Sequence, residues 1–237
     1  MSQIAVEKKV LNENQKIAAE LREKFREHKI LVVNIISSPG SGKTTLLERT
    51  LERMDKGGVP GEPVVGSLGR KRVVLLTGDL QTENDATRLG RWGFPVKQII
   101  TGGTCHLDAK RIERPLADWP LESFDLLIIE NVGNLVCPTS YDLGEHFKIV
   151  MLSVTEGEDK PLKYPSIFVK SELMILSKVD LLPYVPFDAE LAKRNARSMH
   201  PGIQIIESSS KGDGLDEWMK WLEEKLAAVK SGELISA

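Results

Sequence analysis

NIISSPGSGKTTLL, residues 34–47, carries a run of apolar, β-branched residues through a turn of Ser, Pro, Gly and Lys into a second apolar pattern. Upstream, KILVVNIISS (29–38) reads as a buried strand. Downstream, Leu47, Leu51 and Met54 recur at helical spacing within TTLLERTLERM (44–54). A glycine-rich turn between strand and helix can wrap phosphate oxygens with backbone N–H groups, and the helix N-terminus adds partial positive charge. Pro39, Gly40, Ser41 and Gly42 form that turn. Lys43 is spaced to reach β- and γ-phosphates, Thr44 to offer a hydroxyl to Mg²⁺, and Thr45 to line the same site. The usual pattern opens on glycine where this chain has Ser37.

The same alternation continues outward. RVVLLTGD (72–79), VKQIITGG (96–103), FDLLIIENVG (124–133), FKIVMLSVTEG (147–157), ELMILSKVD (172–180) and IQIIESSS (203–210) are near-continuous apolar runs, as strands buried on both faces require. Helical patterns fall between many of them. The last places Leu215, Trp218, Met219, Leu222 and Leu226 on one stripe. This predicts an α/β, mostly parallel, doubly wound sheet with flanking helices, a P-loop NTPase architecture. Residues 1–28 are expected as a helical extension docked on the domain, with Val10, Ile17, Leu21 and Phe25 along one side. Residues 29–237 then form a single globular unit, and GGVPGEPVVGSLGRK (57–71) reads as a loop.

Composition narrows the function classes. A net charge of −2 with Lys and Arg dispersed argues against nucleic acid as partner. No apolar run approaches the roughly 20 residues that span a bilayer, and MSQIAVEKKVLNENQ has no apolar secretory core. Two cysteines do not make a disulfide framework, so a reducing cytoplasm is expected.

Phosphate chemistry with Mg²⁺ needs carboxylates at the ends of neighbouring strands. Asp79 ends RVVLLTGD and opens the polar loop LQTENDATR; Glu130 ends FDLLIIE just before Gly133. With Lys43 they form the expected catalytic set, Asp79 and Glu130 joining Thr44 around Mg²⁺; Asp85 is a weaker candidate. The strand-end run MILSKVDLL (174–182) supplies Asp180, whose carboxylate can accept from guanine N1–H and its exocyclic amine. Adenine offers a lone pair there instead, so GTP is the expected nucleotide. The Lys178 stem can cover the base, and Ser209 lies in a second loop, SSSKGDG (208–214), suited to the same base. Ser177 stands where GTPases usually carry Asn.

Cys105 and His106 follow one strand end, and Cys137 follows another on the same side of the sheet. Thiolate and imidazole ligands suit a borderline or soft divalent ion such as Ni²⁺ or Zn²⁺. On spacing alone, a buried, non-ligating cysteine is the favoured reading and metal binding the minority one.

With these pieces in place, the chain resembles the HypB family of hydrogenase nickel incorporation proteins. The resemblance rests on KVLNENQKIAAELREKF, SSPGSGKTTLL, TGDLQTENDATRL, TCHLDA, ENVGNLVCP, VTEGEDKPLKYP and KVDLLPY, and covers nearly the whole chain. It implies a GTP-hydrolysing metallochaperone in nickel–iron hydrogenase maturation, with Ser37 a usual family variant. It also implies nickel at Cys105, His106 and Cys137, with Zn²⁺ as alternative occupant, near a homodimer interface promoted by GTP. The implied partners are the nickel metallochaperone HypA and a hydrogenase large-subunit precursor. Lys160 and Lys163 can reach a nucleotide within one protomer or across a dimer. Some members carry an N-terminal cysteine-rich motif or a histidine-rich stretch; this chain has neither, so nickel storage is not expected. Three rivals remain. An accessory GTPase for urease would typically show Cys-Pro-His rather than Thr-Cys-His. A storage protein would need more than two cysteines and four histidines, and an ATP-dependent enzyme would not need Asp180.

Overall fold

The structure is a computed structural model describing residues 3–55, 72–79 and 84–233. The loop expected over 57–71 lies outside the described residues, as do 80–83 of the loop expected after Asp79.

Each of the seven apolar runs forms a strand: β1 (Leu31–Ser37), β2 (Val73–Asp79), β3 (Val96–Ile100), β4 (Leu126–Glu130), β5 (Phe147–Ser153), β6 (Ser171–Ser177) and β7 (Gln204–Ser208). They pair in one sheet of order β3-β2-β4-β1-β5-β6-β7, and all six pairings are parallel. The flanking helices are α1 (Gln3–Glu27), α2 (Lys43–Asp55), α3 (Asn84–Gly90), α4 (Ala109–Leu116), α5 (Cys137–Ser140), α6 (Lys160–Lys163), α7 (Pro165–Val169), α8 (Ala189–Met199) and α9 (Leu215–Ser231).

The continuous runs are explained by burial on both faces. Leu31, Val33 and Ile35 pack with Leu47 and Leu51 of α2 and Trp218 and Leu222 of α9. Val32, between them in sequence, points into a second cluster with Leu21 and Phe25 of α1 and Ile112 of α4. A third cluster lies under α7 and α8. Two expectations are adjusted. Val10 is 46% exposed, bordering an open cavity beside His106 and Tyr141 rather than joining the packed layer that holds Leu21 and Phe25. Residues 84–88, expected in a polar loop, are helical in α3, which Leu89 pins into the core.

Since all strands run the same way, every carboxyl end lies along one edge. Across that edge the order is the Cys105–His106 loop, Asp79, Glu130, the 37–43 loop, Glu156, Asp180 and Ser209.

Candidate functional site

The 37–43 loop leaves central β1 and enters α2 through Gly40 and Gly42, at φ +74° and +98°. Only glycine adopts those values freely, so the loop can turn its N–H groups inward. It borders a cavity of about 500 Å³, lined also by Thr45, Asp79, Asp85, Arg88 and Glu130. Gly133 closes on the loop so tightly that a Cβ there lies 2.9 Å from Pro39 Cα.

Inside, Lys43 is 8% exposed and its Nζ donates to Ser37 Oγ at 2.9 Å. Burial pulls its pKa down, opposed chiefly by the Glu130 charge. Ser37 therefore has a physical role at the position usually held by glycine: its hydroxyl parks the lysine. Thr44 Oγ1 donates to Glu130 Oε1 at 2.7 Å, while Oε2 is buried with no hydrogen-bond partner among the described residues. Burial pushes the Glu130 pKa up to about 7. A buried carboxylate short of partners, beside a threonine hydroxyl and sharing a polar-lined cavity with Asp79, fits a hard divalent cation. Asp85 lies 3.8 Å from Arg88, whose guanidinium also grips Glu48 at 2.6 Å.

A second cavity of about 220 Å³ shares Gly42, Thr45 and Lys178 with the first, and Asp180, Ser209 and Leu181 complete it. Lys178 takes a left-handed conformation, φ 61°, as the chain turns out of β6. Asp180 Oδ2 accepts from Ser210 Oγ at 3.1 Å; Oδ1 is buried without a partner among the described residues. That leaves an acceptor aimed at an amidine-like N–H pair, the edge guanine presents. Ser209 is held by Asp213. Ser177 Oγ donates to the Ser41 carbonyl at 2.7 Å, tying the end of β6 to the phosphate loop.

Three residues with parts in this geometry escaped the sequence reading. Glu156 Oε1 accepts from Ser41 Oγ at 2.7 Å and from Ser153 N at 3.0 Å, and its carboxylate reaches Lys160 at 3.5 Å. As an acid just past a strand end it had the same signal as Asp79. Arg88 and Asn131 had no such signal, because the partners that place them, Glu48 for Arg88 and Asn34 and Leu107 for Asn131, are distant in sequence. Lys160 also lies over the Tyr164 ring at 5.2 Å, and Lys163 pairs with Asp159 at 2.6 Å.

Beyond the phosphate cavity, the loops after β3 and β4 meet. Cys105 Sγ and Cys137 Sγ are 2.9 Å apart, and His106 Nδ1 is 3.9 Å from Cys105 Sγ. Ligand atoms of the three residues lie within 4.8 Å of one another, all partly buried. The thiol–thiol contact raises the Cys137 pKa, and burial lowers that of His106. A neutral imidazole stacked on Tyr141 at 3.8 Å is a ready nitrogen ligand, and two thiols complete a set suited to nickel or zinc. Among the described residues, no helix is long and apolar enough to cross a membrane.

A family model described as "CobW/HypB/UreG, nucleotide-binding domain" matches residues 31–207. The hydrogenase maturation factor HypB of Escherichia coli (strain K12) is 49% identical over 226 residues, which cover 95% of this chain and 73% of that protein. The hydrogenase/urease maturation factor HypB of Helicobacter pylori (strain J99) is 40% identical over 227 residues, covering 94% of this chain and 88% of that protein. The crystal structure of HypB from Helicobacter pylori in complex with nickel superposes with a TM-score of 0.80 at 40% identity, covering 91% of this chain and 95% of that one.

Proposed function

This chain belongs to the CobW/HypB/UreG family of nucleotide-binding domains, and from that premise we propose that it is a GTP-hydrolysing nickel metallochaperone of hydrogenase maturation. One observation carries the proposal. The segment after β4 begins with Glu130 in the phosphate cavity and ends seven residues later with Cys137 against Cys105. Whatever moves this segment at the nucleotide also moves a ligand of the metal.

In this reading the guanine occupies the smaller cavity, where the Asp180 carboxylate accepts its N1–H and amine. Backbone N–H groups of residues 39–45 surround the phosphates. Lys43 leaves Ser37 Oγ for the β- and γ-phosphate oxygens. Thr44, Glu130 and Asp79 are the residues that would hold Mg²⁺, which when bound neutralises phosphate charge and aligns the oxygens. Asp79 orients the attacking water. Gly133, free of a Cβ, brings its N–H close to the γ-phosphate. Hydrolysis removes that contact and releases the 131–137 loop. Nickel is the cargo of Cys105, His106 and Cys137, and Zn²⁺ competes for the same ligands. Three ligands leave a tetrahedral position open for water or a second protomer, consistent with a GTP-promoted homodimer. In the cytoplasm, HypA would share the cargo and a hydrogenase large-subunit precursor would receive it.

One experiment tests both halves. Sedimentation with bound-metal analysis compares GDP with a non-hydrolysable GTP analogue, on wild type and Cys137→Ala. The substitution is expected to weaken nickel binding by about tenfold or more, as losing one of three ligands requires. Unchanged metal content and stoichiometry would remove Cys137 from the site. The 40%-identical relative described as a hydrogenase/urease factor gives urease as a second recipient. Transfer of nickel to apo-urease, but not to a hydrogenase precursor, would favour it.

A further inference from the structure

Leu107 directly follows His106 and is fully buried. Two groups from neighbouring strand ends hold it. Its backbone N–H donates to Asn131 Oδ1 at 3.3 Å. Its side chain covers Gly78 so closely that a Cβ built there would lie 2.9 Å from Leu107 Cγ. Asn131 immediately follows Glu130, Gly78 immediately precedes Asp79, and both line the phosphate cavity. The residue beside a candidate metal ligand is thus clamped between the residues beside Glu130 and Asp79.

Asn131 is 1% exposed and each of its side-chain polar atoms is engaged. Oδ1 also accepts the Val132 N–H at 2.9 Å, which fixes that atom as oxygen. Nδ2 donates to Asn34 Oδ1 at 3.2 Å, and Asn34 Nδ2 donates to Glu145 Oε1 at 3.1 Å. The amide is therefore braced against β1, the strand that carries the phosphate loop. A second tie runs parallel: Asn134 Nδ2 donates to the Cys105 carbonyl at 3.3 Å.

We propose that Asn131 is the positioning residue of nucleotide–metal coupling, setting Cys105 and His106 through its hold on Leu107. This rests on the GTPase–metallochaperone reading above. Motion of Val132 and Gly133 toward a γ-phosphate shifts the Asn131 carboxamide, because that carboxamide also accepts from Val132. The Leu107 N–H bond to that carboxamide is long, at 3.3 Å, so the shift tightens it and draws Leu107, with the loop bearing the two ligands, toward Asn131. Packed elements of this kind switch between discrete arrangements rather than bend continuously. Contact with both sites is then the physical path, not mere proximity.

The test uses the full chain with nickel alone as probe, at saturating GDP or non-hydrolysable GTP analogue with Mg²⁺. In wild type the two nickel affinities differ by about fivefold or more. In Asn131→Ala their ratio falls to within about twofold of one. A variant-free measurement accompanies it: hydrogen exchange of the Leu107 amide in wild type. This amide is expected to exchange at least about tenfold more slowly with the GTP analogue than with GDP, while core amides of β6 do not change. If Asn131→Ala does not fold, the Leu107 amide decides alone. A wild-type ratio of one overturns both the coupling and this inference. A wild-type ratio preserved in Asn131→Ala, or a Leu107 amide unchanged or faster with the analogue, overturns the role of Asn131 and leaves the coupling standing.

Discussion

The phosphate cavity and the cysteine–histidine cluster are neighbours on one sheet edge, yet they are built in opposite ways. The cavity is assembled on strand ends and the first turn of α2. Its two central charged groups are buried, Lys43 8% and Glu130 3% exposed, and each already holds one hydrogen bond, to Ser37 and Thr44. The cluster joins the loop after β3 to the first residue of the short α5, and its three residues are only partly buried. A site on strands holds its shape when empty. A site held by a loop takes its shape from what holds the loop, and under the proposed coupling that includes the nucleotide.

The largest effect that can break this comparison is Lys43→Ala. It should lower GTP hydrolysis by about 100-fold or more, because a transition-state charge partner is lost. Nickel stoichiometry in the GDP state should stay at the wild-type value, since Cys105, His106 and Cys137 do not touch Lys43. Hydrolysis assays paired with metal analysis check both statements. Metal lost together with hydrolysis would show that the two regions are one site.

A smaller effect sharpens the same contrast within the nucleotide region. Ser177→Ala removes the donor to the Ser41 carbonyl but leaves Asp180 in place. GTP affinity should fall about three- to tenfold, the worth of one buried hydrogen bond, with the preference over ATP unchanged. Competition titration with both nucleotides reads this out. A reversed preference would make Ser177, not Asp180, the residue that reads the base.

The strands, the phosphate loop and the acids at strand ends were legible in the sequence because each is a local pattern. A run such as FDLLIIE announces both a doubly buried strand and the carboxylate at its end. The Ser177 anchor was not legible, because its partner Ser41 is 136 positions away and a departure from Asn-Lys-x-Asp reads only as a loss. Asn131 was invisible for a similar reason: its partners, Asn34 and Leu107, come together only when β1, β4 and the loop after β3 pack. Helix α3 was missed because only Leu89 among its residues reaches the core, too weak a periodicity to separate helix from loop. The metal triad lay between these cases. Its residues are visible, but the convergence of Cys105 and Cys137 depends on β3 and β4 each neighbouring β2.

A further expected effect concerns stability rather than binding. The Glu130 carboxyl has its pKa raised from 4.5 to about 7 in the folded chain. Between those values the native state holds a proton that the unfolded chain has released. In metal-free protein its contribution to stability therefore falls as pH rises through that window, by up to about 1.4 kcal/mol per unit. Partly buried His146, lowered from 6.5 to about 4 chiefly by desolvation, acts in the opposite sense, its contribution being lost as pH falls through that range. The difference between Glu130→Gln and wild type isolates the first effect. Denaturant melts at pH 5, 6 and 7 should show the variant gaining on wild type as pH rises. Parallel curves would place the raised carboxyl elsewhere.

The account turns on one comparison of the two regions in a single wild-type protein: nickel affinity with GDP against nickel affinity with a non-hydrolysable GTP analogue. Coupling through the 131–137 loop predicts a difference of about 5- to 150-fold, corresponding to about 1–3 kcal/mol. Identical affinity and identical stoichiometry in the two states would contradict it.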